Sequence, residues 1–567
     1  MACNLPEEVL RKIFFACVHL SIDSNNSKCR AWSWIIVSYI CSSWRMVSLS
    51  CPELWRYIDF SHPGSCALTL KRAKMSPLHI DTFVNENNTR LVQRTLQLAH
   101  RIHDIHIRSS LHDIHGFLEI LTHPNPAVES LIIDVDISKS CPFSRVYQQP
   151  LFPICGPPLD NLKYMELHSA PLYLLTPRCI HLTQLHLHNL PSTERPTVRC
   201  FLSMLEQLQD LEHLTIDRSF PINLDLAAVT SSEQCKLPKL KSISLVGSTV
   251  EIVNILEGLS LPPSTRLSAR IWTLSDSRDN IWKLSQWIDF RSHVEGVQPV
   301  ETLILTGKET RTRFIADGFD LDPEYRQSLR IQTFQLGGLA LDLTFESNER
   351  IADDDLLVFI LTDIVQSLSS QAHTLSVQNL GFVTQKSWTQ LLRLLPCLRV
   401  LDIIGSAPSG LAWALLLNAR LYTPDCMFPD DGGWDHELLV PRLNDIYLRN
   451  LDCSSGGYML SRNATVHSYY DLDDSRFLDV LNASLCERRQ LGLYLRGLSI
   501  VRCEFVLKKS VDDTRTVVAH LICDARCLLG DEVDEARPAR YRNSWNFDHP
   551  LIAHYYRLHA LAMDSYF

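Results

Sequence analysis

The sequence predicts an α/β chain in which a small N-terminal helical module precedes a repeat solenoid, with parallel strands on the concave face and helices outside. Two observations carry this. The first is a run of apolar residues at helical spacing in "NLPEEVLRKIFFAC", residues 4–17. The second is a short pattern, apolar-x-x-apolar-x-apolar, found in nine places between residues 102 and 448, with helix-like stretches between many of them. No such unit can bury its own apolar face, so the units must stack, and stacking makes one continuous core.

Pro6 suits the first turn of a helix, where a missing N–H costs nothing. Glu7 and Glu8 place negative charge at the positive end of its dipole. Leu5, Val9, Leu10, Ile13, Phe14 and Cys17 then fall on one broad face. A polar stretch follows, and "WSWIIVSYICSSWRMVSLS" at 32–50 spaces Ile36, Ile40 and Trp44 four apart, which predicts a second helix. Pro52 ends that run, and "PELW" reads as a tight turn carrying Leu54 and Trp55.

In the body, the pattern starts at residues 102, 128, 162, 182, 211, 240, 300, 398 and 443. Three of the copies are 29 residues apart. Stretches such as 199–210 and 387–397 read as the intervening helices. The expected division is a helical module at 1–60, a linker or first cap at 61–100, repeats at 101–450, and further repeats or a capping extension at 451–567. Spacing breaks down beyond residue 260, where gaps imply insertions or missed repeats.

Side chains alternate along a strand, so the residue between the last two apolar positions points away from the core. Stacked, those residues form a ladder with rungs roughly 4.8 Å apart. It reads His106, Glu166, His186, Thr215, Ser244, Ile304, Asp402 and Tyr447, a mixed polar row suited to a protein target.

Composition narrows the function classes. Of 567 residues, 46% are hydrophobic and 21% charged, which is ordinary for a folded chain. A net charge of −10 gives no general attraction to nucleic acid. Residues 1–80 hold nine Lys/Arg against five Asp/Glu, a mildly basic head on an acidic body. The longest uncharged apolar runs, such as "GLAWALLLNA" at 410–419, are about half of what a membrane span needs. With no signal-peptide pattern, the expected location is cytoplasm or nucleus, away from membranes.

The 18 cysteines form no C-x-x-C pair and are expected to be reduced. Two histidine clusters, His103/His106/His112/His115 and His181/His186/His188, invite a metal reading, but zinc also wants carboxylate or thiolate partners that converge in space, and His186 and His188 alternate with Leu185 and Leu187 on a strand. They read as exposed side chains, with no metal or cofactor expected. Phosphate-loop, dinucleotide and nucleophile-elbow motifs are missing, so no catalytic residue is assigned and no enzyme is expected.

The ordered blocks "LPEEVLRKIF", "VSYICSSWRMVSL" and "PELWRYIDF" resemble an F-box domain, particularly the F-box-like group abundant in fungal proteomes. The resemblance rests on Leu5-Pro6, Ile13-Phe14, Cys41, Trp44-Arg45, Pro52 and Leu54-Trp55, and covers about a tenth of the chain. Glu7 stands where a second proline is common, and extra polar residues at 21–31 lengthen the first loop. The resemblance implies docking on a Skp-type adaptor of a cullin–RING ubiquitin ligase. The docking face would carry Leu5, Pro6, Val9, Leu10, Ile13 and Phe14, with Ile40, Trp44, Leu54 and Trp55 extending or supporting it. The body is similar to the irregular leucine-rich repeats that often follow F-boxes, although their fixed Asn/Cys position is mostly missing. Together these imply a substrate-recognition subunit that holds an unknown protein target, with the ligase chemistry in partner subunits. An interaction scaffold of the same build without ligase work is the alternative, and an enzyme with an unrecognised site in residues 260–567 is a third reading.

Overall fold

The computed structural model describes residues 5–23, 33–110, 127–136, 159–170, 179–191, 195–222, 234–272, 278–294, 300–312, 324–334, 340–347, 354–368, 372–381, 383–421, 438–453, 477–504 and 506–524, with short pieces between them. His112, His115 and residues 531–567 lie outside the described residues. So does 24–32, most of the polar loop of the head.

Helix α1, Glu7–Asp23, begins where the Pro6 carbonyl accepts from the Val9 and Leu10 N–H groups, both 3.1 Å. Glu7 and Glu8 fill its first turn as the dipole requires, and Glu7 also accepts from Arg11 one turn on at 2.7 Å. The single helix expected over 32–50 is two pieces: a 3₁₀ turn at Ser33–Tyr39, then α2 at Ser42–Ser50. The break is at Cys41, whose backbone is extended and whose Sγ accepts the Trp44 N–H at 3.5 Å. "PELW" forms a 3₁₀ turn, Pro52–Trp55, with Leu54 and Trp55 buried.

Where a linker or first cap is expected at 61–100, the structure shows folded elements at the start of the sheet. Helix α3 (Pro63–Ala73), strand β1 (Leu78–Phe83) and α4 (Thr89–Leu96) occupy these residues, and β1 is the first strand of the main sheet. The head is tied to that strand, since Ile58 donates to the His79 carbonyl and His79 to that of Arg56.

Among the described residues the main sheet has sixteen strands. From β1 it continues through β2 (Ile102–Ser109), β3 (Ser130–Val135), β4 (Tyr164–His168), β5 (Gln184–His188), β6 (His213–Asp217), β7 (Ser242–Gly247) and β8 (Arg266–Trp272), all parallel and in chain order. The next three, β9 (Thr302–Thr312), β10 (Glu324–Phe334) and β11 (Leu341–Ser347), form a meander entered in reverse. Thus β11 pairs with β8, β10 runs antiparallel between β11 and β9, and β9 pairs with β12 (Thr374–Gln378). Parallel order then resumes through β13 (Val400–Ser406), β14 (Asp445–Asp452), β15 (Gly497–Val501) and β16 (His520–Cys523).

All nine sequence-predicted units lie on strands of this sheet. Each of six opens on a buried residue whose N–H closes a turn to the residue three back: Leu162, Leu182, Leu211, Leu240, Leu398 and Leu443. Strand exits also recur. Ser169, Asn189, Arg218, Asn379, Asn450 and Arg502 all have φ of 51–54°, the left-handed region, immediately after regular pairing ends. Their Asn members suit that conformation through a short polar side chain.

Helices fill crossovers: α5 (Val198–Glu206), α6 (Thr249–Gly258), α7 (Arg278–Ser292), α8 (Asp354–Leu368), α9 (Gln385–Arg393), α10 (Ser409–Leu421), α11 (Phe477–Gln490) and α12 (Lys508–Val517). One face of the sheet and the apolar stripes of these helices make a single hydrophobic core that extends from Leu10 of the head to Val518. On β4 to β7 the other face carries alternating half-exposed side chains, whereas on β12, β13 and β15 its central residues Ser376, Asp402 and Ser499 are buried. Among the described residues no helix is long and apolar enough to cross a membrane.

Candidate functional site

Two surfaces stand out. The first is on the head, where the structure splits the ten residues of the expected docking face. Leu10, Phe14, Trp44, Leu54 and Trp55 are buried inside the module. Phe14 packs edge-on against Trp44 with ring centroids 5.3 Å apart. Trp55 donates its indole N–H to the Ser48 carbonyl at 3.0 Å and is covered by the Arg72 guanidinium 4.3 Å from its ring. These five hold the module together and offer a partner no open side chain. Ile13 is half-buried, and Pro6 is exposed.

What remains open is Leu5, Val9 (40% exposed) and Ile40 (54%). Ile36, Tyr39, Met46 and Leu49 join them, and the sequence reading had not assigned those four to the docking face. Sixteen large hydrophobic side chains are exposed among the described residues, and seven lie between residues 5 and 49. That concentration on so short a segment separates it from ordinary scattered exposure.

The second surface is the open face of the sheet. All eight predicted rungs fall in one register row. The row reads Asp81, His106, Ile132, Glu166, His186, Thr215, Ser244, Ser268, Asp342, Gln332, Ile304, Ser376, Asp402, Tyr447, Ser499 and Ile522 from β1 to β16. One rung is corrected. Asp402 is fully buried, held by the Arg449 guanidinium through both Nε (2.8 Å) and Nη2 and by the Ser376 hydroxyl at 3.1 Å. Its carboxylate braces the sheet and cannot contact a target. Tyr447, beside it, is half-buried, and burial raises its phenol pKa.

The row is richest chemically at β4 and β5. Glu166 lies between Tyr164 and His168 on the same side of β4, because residues two apart share a face. The Tyr164 hydroxyl donates to Glu166 Oε2, and His168 Nε2 sits 2.6 Å from Oε1. His188, directly across on β5, turns its Nε2 toward the same Oε1 at 3.7 Å and its Nδ1 toward Asp217 at 3.4 Å. The His168 and His188 rings stack at 4.5 Å and 9°.

The His168 hydrogen bond, against the opposing effect of burial, holds the Glu166 carboxyl at about 2. In return Glu166 raises His168. Burial lowers His186, whose Nε2 has no hydrogen-bond partner among the described residues. His186 is flanked by Tyr164 at 5.2 Å and His188 at 6.5 Å. His186 and His188 were expected to be simply exposed; both are half-buried in this cluster.

Sequence reasoning reached Glu166 and His186 but missed Tyr164, His168 and Asp217 as members of this group. The signal was available. Superposing the apolar positions of "YMELH" and "QLHLH" sets Glu166 beside His186 and His168 beside His188. No family model and no curated protein matches this chain.

Proposed function

We propose that the chain is the substrate-recognition subunit of a Skp–cullin–F-box type ubiquitin ligase. On this reading the head docks on a Skp-type adaptor, the body is an irregular leucine-rich-repeat solenoid, and its open face holds a protein target. The chain then carries no ligase chemistry of its own. The observation that carries the reading is the open apolar set Leu5, Val9, Ile36, Tyr39 and Ile40 on a module built from the three ordered F-box-like blocks. An internal cap would bury those residues against the body, and the described structure leaves them exposed. The repeated strand entry and left-handed exit support a solenoid of equivalent units.

The target face would then use the accessible rungs His106, Glu166, His186, Thr215 and Ser244, with Tyr447 further along. Affinity capture of the full-length chain from its own cells tests the assembly. Recovery of both a Skp-type adaptor and a cullin is the expected result. Recovery of the adaptor without a cullin would favour the scaffold reading, and recovery of neither would end both.

A further inference from the structure

The geometry points to a binding site for a first-row divalent cation, zinc or iron(II), formed by Glu166 and His168 of β4 and His188 of β5. One carboxylate and two imidazoles present ligand atoms that all lie within 4.8 Å of one another. Metal–ligand bonds of about 2.0–2.2 Å at tetrahedral angles separate donor atoms by roughly 3.4 Å. Glu166 Oε1 lies 2.6 Å from His168 Nε2 and 3.7 Å from His188 Nε2, so the observed spacings bracket that value. Binding would lengthen the His168–Glu166 spacing by about 0.8 Å and tilt the stacked His168 and His188 rings so that both Nε2 lone pairs meet the ion.

The surrounding bonds already set the donors. Tyr164 occupies Glu166 Oε2 and leaves Oε1 free to face both rings. Asp217 lies at His188 Nδ1, which selects the tautomer that leaves the Nε2 lone pair pointing inward. A carboxylate behind a ligating imidazole is the recurrent way proteins orient such rings and raise their basicity. A plain Glu166–His168 ion pair would need neither the second ring nor its acid. Backbone pairing between β4 and β5 in strict register fixes the relative position of the two strands.

Two imidazoles and one carboxylate suit zinc or iron(II) and disfavour magnesium or calcium, which prefer all-oxygen shells. Three protein ligands leave coordination positions on the open side of the sheet for water or an incoming ligand atom. This site stands independently of the ubiquitin-ligase reading.

The test uses tag-free, full-length protein freed of metal by chelation and dialysis. It is titrated by calorimetry with Zn²⁺, with Fe²⁺ under anaerobic conditions, and with Mg²⁺. Zinc should bind at one equivalent, iron(II) more weakly in line with the usual affinity order, and magnesium without measurable heat. His188→Ala and Glu166→Gln should each weaken zinc by about tenfold or more, and His181→Ala, an exposed histidine paired with Asp210, should not. Glu166→Gln preserves shape and the Tyr164 contact, and circular dichroism verifies that it folds. Failure of the wild type to take up one zinc at about 10 μM free metal overturns the site. Equal zinc affinity in wild type, Glu166→Gln and His168→Gln overturns it as well.

Discussion

At the scale of single residues, the buried ion pair of Asp402 with Arg449 is the most exposed to error by substitution. The Asp402 side chain has no solvent contact, and Arg449 supplies two of its hydrogen bonds. Arg449→Met strands a buried carboxylate, so it should cost roughly 3–5 kcal/mol. Replacing both together, as Asp402→Leu with Arg449→Met, should recover much of that loss. Urea midpoints of the two variants check this, and equal destabilisation would show that the pairing is incidental. The thiols give a pH prediction. Burial, aided by the bond to Glu53, raises Cys51 to about 11, and burial raises Cys235 to about 12. The fold thus favours the neutral thiols. Their contribution to stability is complete below the ordinary thiol pKa, near 9, and is lost as pH climbs through 11 to 12. Denaturation midpoints measured from pH 7 to 11 should fall over the upper range, and Cys51→Ala should flatten part of the fall. Iodoacetamide at pH 8 should label exposed Cys200 well before either buried thiol.

At the scale of elements, α1 illustrates how one amphipathic stripe serves two purposes. Phe14 and Leu10 are core, and Val9 and Leu5 on the same stripe are open. Phe14→Ala should therefore cost roughly 3–5 kcal/mol, read as a lowered urea midpoint of the whole chain. Val9→Asp should leave that midpoint nearly unchanged. Helix α6 offers a smaller check. Ser248 and Glu251 form a reciprocal capping box, so Ser248→Ala should cost about 1 kcal/mol, measurable by denaturant titration.

Strands such as β4 to β7 were legible because a buried leucine, a short alternation and a polar exit recur with little variation. Strand β8, "RLSARIW", was missed: its inward positions are Leu267, Ala269 and Ile271, and the small alanine and flanking arginines weaken the apolar signal. The break of the second head helix at Cys41 was also unreadable, since Ile36, Ile40 and Trp44 keep helical spacing across it.

At the scale of the whole molecule, the sequence pattern shows that units stack but not the order in which an inserted hairpin joins them. The reversed β11–β10–β9 meander depends on long-range pairing, which local periodicity does not encode. The Glu166–His168–His188 group, on strands about twenty residues apart in sequence, follows from aligning two neighbouring units and is invisible within either one. The eight predicted rungs do share one row, because alternation along each strand and a common register align them, but the row has eight further members and buries Asp402. On the proposed reading, the exposed apolar residues of the head and the polar row of the sheet serve different partners. Replacing Glu166, His186 and Tyr447 together should therefore reduce target capture and leave adaptor binding intact, as read by quantitative proteomics of the captured complexes.

Docking of the head is tested by the affinity of a purified Skp-type adaptor for the full-length chain, measured by calorimetry for wild type and for Val9→Asp combined with Ile40→Asp. A charge placed in the middle of an apolar interface is costly, so the account predicts binding by the wild type and at least a hundredfold loss, about 3 kcal/mol, in the folded variant. Wild-type affinity retained by the variant, or no binding by the wild type, would contradict it.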